Sequence, residues 1–154
     1  MTFVAALGAG LIAGVFYAFS TFVMRALLRV PPAEGMSAMQ SINIAVINPL
    51  FLGVFLGTVA VCAATGIAAV VRWERPGAGY LLAGSVLYVV GTFGVTMAFN
   101  VPLNNELAAL TRGEPDASGR WARNAGRWTM WNHVRTAAAL AAAGAFVIAF
   151  RAAR

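Results

Sequence analysis

A chain of 154 residues with 60% hydrophobic and only 10% charged residues has too much apolar surface for one soluble core, which excludes an ordinary soluble domain. The formal net charge of +6 comes from arginine alone on the basic side, because lysine is absent. The arginines are scattered over the expected helix ends and form no basic face of the kind that binds nucleic acid. We therefore expect the lipid bilayer, with its anionic headgroups, as the partner and no nucleic acid.

Four apolar runs are long enough to cross the hydrocarbon core of a bilayer, which takes about 20 residues of helix. They cover approximately residues 3–28, 45–71, 80–101 and 132–150. The predicted fold class is all-α: a four-helix transmembrane bundle forming a single integral membrane domain, residues 1–154. The first run follows no basic residue and has no small-residue cleavage site before Arg25, so we expect a retained helix and not a signal peptide.

The segments between the runs predict one short helix and two loops. Pro31-Pro32 ends the first helix, and residues 36–47 have a helical pattern too short to span. We expect that segment to lie at the interface or to start the second helix, with a kink at Pro49. Pro76-Gly77 predicts the second turn and residues 112–119 the last loop.

Residues 121–130 are expected to continue into the fourth helix.

The arginine count leaves the orientation in the membrane open. Four spans place both termini on one side of the membrane, with Arg154, and the last loop on the other side, with Arg112. When Arg25, Arg127 and Arg135 are treated as buried and left out of the count, the two sides carry equal numbers of arginines. The pairs Gly10 with Gly14 and Gly53 with Gly57 have the small-xxx-small spacing that predicts close helix packing.

Two short polar clusters interrupt the apolar runs, each where a run meets a loop. They are Asn100-Val-Pro-Leu-Asn104-Asn105-Glu106 and Trp128-Thr-Met-Trp131-Asn132-His133-Val-Arg135. Polar side chains at that depth lose water, so they are kept mainly where they pair with one another or line a cavity. The clusters are the first candidates for a functional site.

Helix geometry sorts these residues onto faces. At about 100° per residue, one stripe of the fourth helix holds Trp128, Trp131, Asn132 and Arg135, whereas His133 points elsewhere. Further polar groups at the same end of the bundle are Tyr17, Ser20, Asn43 and Asn48. Such groups can simply tie helices together, but there are more of them than four helices need for registration, which favours a ligand site.

Metal and cofactor signals are sparse. One histidine, one cysteine and five acidic residues offer no ligand spacing for zinc or an iron–sulfur cluster, and no Gly-rich turn for a dinucleotide is present. We expect no cofactor and no metal, with a haem on His133 as the alternative. We interpret Cys62 as a small core residue, with a catalytic thiol as the remote alternative.

Four pieces of the sequence resemble the anthrone oxygenase family. They are Gly14-Val-Phe-Tyr17-Ala-Phe-Ser20, Met39-Gln-Ser-Ile-Asn43 with Asn48-Pro49-Leu-Phe51, Asn100-Val-Pro102-Leu-Asn104, and Trp128-Thr-Met-Trp131-Asn132-His-Val-Arg135. Members of that family are small four-helix membrane proteins, many of them bacterial. The resemblance implies a multi-pass protein of a bacterial cytoplasmic membrane. Fungal members oxidise an anthrone to an anthraquinone, a reaction in which molecular oxygen attacks the carbon between two aryl rings.

That reaction needs a base, a cation for the substrate anion and an apolar chamber. Arg135 suits the cation, because it stays charged and donates in a planar fork. The expected base is His133 or Glu106. Substrate contacts are expected from Asn100, Asn104, Asn132, Trp128, Trp131, Asn43, Asn48, Tyr17 and Ser20.

The predicted function is thus an oxygenase-like enzyme without metal or flavin, acting on a small hydrophobic aromatic that enters sideways from the bilayer. Met24, Met97 and Met130 are expected to line the entrance. The alternative is a non-enzymatic membrane protein that binds a lipophilic small molecule or serves as an accessory subunit. Homo-oligomer formation stays open.

Overall fold

The computed structural model describes residues 1–111 and 113–152, and over these the chain forms five helices and no strand. The helices are α1 (Thr2–Leu27), α2 (Pro32–Ala45), α3 (Pro49–Val71), α4 (Ala78–Ala108) and α5 (Ala117–Ala152). All except α2 are long and apolar enough to cross a membrane. The predicted all-α fold with four spans and a short helix is confirmed. Arg112 and Arg154, which the loop and orientation predictions included, lie outside the described residues.

The boundary between α2 and α3 is an N-cap at Asn48. Its Oδ1 accepts from the backbone N–H groups of Leu50 at 3.1 Å and Phe51 at 3.0 Å, and its Nδ2 donates to the carbonyl of Ala45 at 2.9 Å. Pro49 occupies the first helical turn, where its missing N–H has no cost. Pro49 therefore begins α3 and kinks nothing, and the second span starts at residue 49, not 45.

The short helix α2 covers the end of the bundle. Met36 and Met39 are buried, and Gln40 Nε2 donates to the carbonyls of Leu107 at 2.9 Å and Leu110 at 3.0 Å. Carbonyls at a helix C-terminus have no partner within their own helix. The Leu107 carbonyl also accepts from the Leu110 N–H at 3.1 Å, and the Gln40 amide adds a hydrogen bond to each carbonyl and joins α2 to the end of α4.

Helices α4 and α5 extend beyond the apolar runs. α4 continues to Ala108 instead of ending near 101, and α5 begins at Ala117 instead of near 132. Residues 121–130 do continue into the fourth span as predicted. The polar extensions stay helical because one face of each is buried, with Leu107 on α4 and Trp121 on α5.

Three stretches of the spans are π-helical: Phe19–Val23 in α1, and Leu87–Gly94 and Thr96–Asn100 in α4. The inward positions of α4 explain this. Tyr88, Thr92, Thr96 and Asn100 recur every four residues, and in an ideal α-helix each such step drifts by about 40° around the axis. The wider π turns absorb that drift and keep the four residues toward the interior of the bundle, where Tyr88 contacts α3 and the other three contact α5.

Glycine permits close approach at positions other than those expected. A Cβ at Gly10, Gly14, Gly53 or Gly57 would meet nothing within 4 Å, so the predicted close packing at these pairs does not occur within the described chain. The close contacts occur at Gly8 against Thr58, and at Gly84, where a Cβ would lie 3.0 Å from the Phe146 ring.

Candidate functional site

A buried arginine lies at the centre of the bundle. Arg135 on α5 is only 5% exposed. Its Nε donates to Asn132 Oδ1 at 2.9 Å, and its Nη1 donates to Thr96 Oγ1 on α4 at 3.3 Å. The guanidinium carbon lies 3.9 Å from the centre of the Phe16 ring and 4.9 Å from that of Trp128. Two aromatic faces and two neutral acceptors therefore surround the charge.

Asn132 holds this arrangement to α1. Its Nδ2 donates to the Phe16 carbonyl and to Ser20 Oγ, both at 2.7 Å. Ser20 Oγ also lies 3.2 Å from Thr136 Oγ1, which donates to the Asn132 carbonyl at 2.6 Å. The π-helical turn of α1 includes Ser20. The amide thus orients the guanidinium and fixes α1 against α5.

No carboxylate accompanies the buried charge within the described residues. Their three ion pairs all lie at the α4–α5 loop end: Arg120–Glu114 at 2.6 Å, Arg123–Asp116 at 2.8 Å and Arg127–Glu106 at 3.4 Å. A charge in a membrane bundle is costly unless it is paired, and intramembrane ionisable residues are commonly functional. Arg135 therefore presents a positive charge to which the described part of the chain supplies no counter-charge.

Asn100 contributes an unused acceptor. It is fully buried, and its Nδ2 donates to the Trp128 carbonyl at 3.2 Å, but its Oδ1 has no hydrogen-bond partner among the described residues. Trp128 Nε1 donates to Asn104 Oδ1 at 2.7 Å. An unpaired buried carbonyl oxygen costs about 1–3 kcal/mol, so its presence requires an explanation. We define the polar cluster as Ser20, Thr96, Asn100, Asn132, Arg135 and Thr136.

Two prominent grooves on the described surface are not lined by the polar cluster. The first, of about 100 Å³, lies between α4 and α5 and is lined by Ala98, Phe99, Pro102, Leu103, Glu106, Arg127 and Trp131. The second, of about 140 Å³, lies at the opposite end of the bundle, beside Arg72 and Arg75. Ligand pockets usually measure about 300 Å³ or more. Most of the cluster is buried, and neither of these grooves reaches it.

Comparison with known proteins gives the family. A family model described as anthrone oxygenase matches residues 51–145, which is more than half of the chain. The chain belongs to the anthrone oxygenase family. Comparison with curated proteins and with solved structures gives no match. The matched segment of this anthrone oxygenase family member includes Asn100, Asn132 and Arg135, and the resemblance drawn from the sequence is confirmed.

The structure brings together about half of the residues that the sequence singled out. Ser20, Asn100, Asn132 and Arg135 join the cluster, with Trp128 as a wall and Asn104 behind it. Trp131 lies outside the cluster and stacks on Phe99, with ring centres 3.6 Å apart and planes 7° from parallel.

The remaining candidates lie apart from the cluster. His133 is exposed on α5, Tyr17 is 56% exposed, and Glu106 pairs with Arg127 at the surface. Asn48 is a helix cap and Asn43 is half-buried on α2. Within residues 1–111 and 113–152 no three His, Cys, Asp or Glu side chains are grouped for a metal.

Sequence reasoning missed Phe16, Thr96 and Thr136. Thr136 lies four residues from Asn132 in a continuous α-helix, so helical spacing could have found it. Thr96 lies in a π-helical turn, where that spacing does not hold. Phe16 offers a ring face and a backbone carbonyl, for which its side-chain type gives no signal.

Proposed function

We propose that this anthrone oxygenase family member is a membrane-embedded oxygenase-like enzyme that acts on a small hydrophobic aromatic of the anthrone type. Family membership supports the reaction class. The observation that carries the proposal is the buried Arg135 guanidinium, held between the Phe16 and Trp128 rings with no carboxylate partner in the described residues. Its counter-charge is the anion of the substrate.

The chemistry requires little more than a cation, a base and oxygen. The methylene group between the two aryl rings gives a proton to a base. The negative charge of the resulting carbanion is delocalised onto the carbonyl oxygen of the anthrone, which gives a phenolate-type anion. Arg135 holds that anion. The carbon then forms a bond to O₂, and protonation gives a hydroperoxide. Loss of the second C–H proton with cleavage of the O–O bond leaves a carbonyl and water, so that CH₂ and O₂ become C=O and H₂O.

Asn100 supplies the second contact in this proposal. Its unpaired Oδ1 is fully buried, so it is available to accept a hydrogen bond from a ring hydroxyl of the substrate. Trp128 touches both groups, since its carbonyl accepts from Asn100 and its ring faces Arg135. A flat ring beside Trp128 therefore reaches a cation and an acceptor at once.

The base that we propose is Glu106. It lines the groove between α4 and α5, together with the exposed ring of Phe99 and the half-buried ring of Trp131, which stack on each other. His133 is exposed and lines neither groove. Once Glu106 has removed the proton at the groove, the substrate anion moves inward, because the positive charge of Arg135 attracts it.

We propose that the substrate enters sideways from the bilayer through this groove. Phe99 directly precedes Asn100, and Trp131 directly precedes Asn132, so the groove lies just outside the cluster. Because the groove measures only about 100 Å³, α4 must move away from α5 to admit a ring system. The π turns of α4 support such a movement, since these turns are frequent at functional sites. Met97 and Met130 are exposed as such an entrance requires, whereas Met24 is buried.

The test is anthrone turnover in lipid nanodiscs, with O₂ uptake and anthraquinone measured together and empty nanodiscs as the background. We expect one O₂ consumed per anthraquinone. Arg135→Lys should lower kcat/KM about 10- to 100-fold, because a point charge cannot replace the planar fork. The matched control is Arg123→Gln, which removes an exposed arginine. A wild-type rate equal to the background, or full activity in Arg135→Lys, would overturn the proposal.

One observation favours the second candidate, a non-enzymatic protein that binds a lipophilic molecule or a partner subunit. Apart from Asn100 Oδ1, the cluster satisfies much of its own hydrogen bonding, and neither groove reaches it. This candidate predicts that aromatic ligands raise Tm without any O₂ uptake. Measuring both quantities on one sample separates the two functions.

A further inference from the structure

The groove at the opposite end of the bundle has its own chemistry. It measures about 140 Å³ and lies where α3 ends and α4 begins, beside the first turn of α1. Ala68, Ala69, Ala78 and Leu81 form an apolar part of the lining, and Met1, Thr2, Thr65, Arg72 and Arg75 complete it. A cavity with a small apolar interior and two guanidinium groups suits an amphiphile with an anionic head.

The arginines of the two ends differ in their partners. At the α4–α5 loop end Arg120, Arg123 and Arg127 each pair with a carboxylate. Within the described residues Arg72 and Arg75 pair with none, and Glu74 between them does not line the groove. Arg25 and Arg29 at the loop end form no ion pair with a described residue either, but they line neither groove. Of the two grooves described, only this one is lined by arginines without a carboxylate partner.

The turn that carries the two arginines is firmly held. Gly77 adopts φ 83°, a left-handed conformation that favours glycine, and a side chain there would meet the Ala149 carbonyl oxygen of α5 at 3.1 Å. Backbone hydrogen bonds join Arg75 to Arg72 at 3.0 Å and Ala78 to Arg75 at 3.1 Å. The backbone of both arginines is therefore fixed, so that only their side chains lose conformational entropy when they bind one anion.

We infer that this groove binds the headgroup phosphate of an anionic membrane phospholipid. Arg72 and Arg75 contact the phosphate, and guanidinium groups suit it because they donate in a planar fork. The start of α4 lies beside them, and the positive end of a helix adds to the attraction. The apolar lining takes the glycerol and the first acyl carbons, which favours a lipid over free phosphate. The site is independent of the proposed oxygenase activity.

The test is lipid retention by native mass spectrometry of the full chain in neutral detergent. Equal amounts of phosphatidylglycerol and phosphatidylcholine of the same chain length are added, and inorganic phosphate is added as a competitor. We expect one phosphatidylglycerol to be retained preferentially. The double variant Arg72→Gln/Arg75→Gln should weaken phosphatidylglycerol binding about tenfold or more. Each basic residue near a membrane surface strengthens the binding of an anionic lipid, and this variant removes two of them.

The matched control is Arg25→Gln/Arg29→Gln, which removes the same charge from the other end, where both arginines are exposed. Its binding should change less than about threefold. Equal losses in both double variants would overturn the inference in favour of diffuse attraction. Displacement of the lipid by millimolar inorganic phosphate, or equal retention of the two lipids, would overturn it as well. An unchanged Tm in both variants shows that the fold is preserved.

Discussion

At the scale of single residues, Asn132 has the most demanding position. Its one amide donates to the Phe16 carbonyl and to Ser20 Oγ and accepts from Arg135 Nε. It is fully buried, so none of these groups can turn to water instead. Asn132 therefore determines both where α1 lies and which way the guanidinium points.

Asn132→Leu should lower the free energy of unfolding by about 2–4 kcal/mol, because it leaves the charged Nε–H donor of Arg135 unpaired in the core and removes both hydrogen bonds from α5 to α1. The measurement is denaturation in mixed detergent micelles, followed by circular dichroism. Asn105→Leu is the control, since Asn105 is exposed on α4 and should change stability by less than about 0.5 kcal/mol. Equal effects of the two substitutions would contradict the conclusion that Asn132 positions both α1 and the Arg135 guanidinium.

The sequence predicted the α5 part of the cluster well and the α4 part less well, for a physical reason. Asn132 and Arg135 lie in a continuous α-helix, where projection at about 100° per residue holds. Thr96 and Asn100 lie in π-helical turns, where it fails. The ring and carbonyl of Phe16 could not be predicted, because they act through tertiary contact with no polar side chain to mark them.

At the scale of helices, close packing depends on glycines that the small-xxx-small spacing did not predict. The small-xxx-small pairs of α1 and α3 face outward, whereas Gly84 of α4 lies directly against Phe146 of α5. Spacing alone cannot tell an inward pair from an outward one in a helix surrounded by lipid, because both faces are apolar. The packing partner decides which glycine matters.

Gly84→Ala should destabilise the bundle by about 1–3 kcal/mol, since the new methyl group would lie 3.0 Å from the Phe146 ring. Gly144→Ala on α5 is the matched control. A Cβ there meets nothing within 4 Å, so the helix should gain up to about 1 kcal/mol from the better helix former. Thermal unfolding of both variants measures the difference, and a stable Gly84→Ala would show that α4 and α5 are looser than described.

The α4–α5 loop should respond to acid. Hydrogen bonds from the Thr111 hydroxyl and backbone N–H, and then the charge of Arg120, lower the pKa of Glu114 from its ordinary 4.5. A depressed folded-state pKa means that the contact is present above the ordinary value and is lost as the pH falls through the lower one. An NMR titration of the Thr111 amide should have a midpoint below 4.5, and Glu114→Gln should abolish it. A midpoint at or above 4.5 would show that the contact does not form in solution.

At the scale of the whole molecule, the bundle has two chemically different ends around one buried cation. At the loop end Arg120, Arg123 and Arg127 pair with carboxylates. At the other end the groove is lined by Arg72 and Arg75, which form no ion pair within the described residues, and the interior holds Arg135 between aromatic rings. Composition was sufficient to predict four spans, because it depends only on apolar length. The distribution of ion pairs was not predictable, because it depends on which helix ends meet.

The central claim is that Arg135 provides the counter-charge for an aromatic anion, and the most direct test is the pKa of a bound probe. A hydroxyanthracene, whose absorption differs between phenol and phenolate, is titrated in nanodiscs with the wild type and with Arg135→Gln. The wild type should lower the pKa of the bound probe by about one pH unit or more, because a nearby buried cation favours the anion. Arg135→Gln should remove that shift. A probe that binds both proteins with the same pKa would contradict the claim.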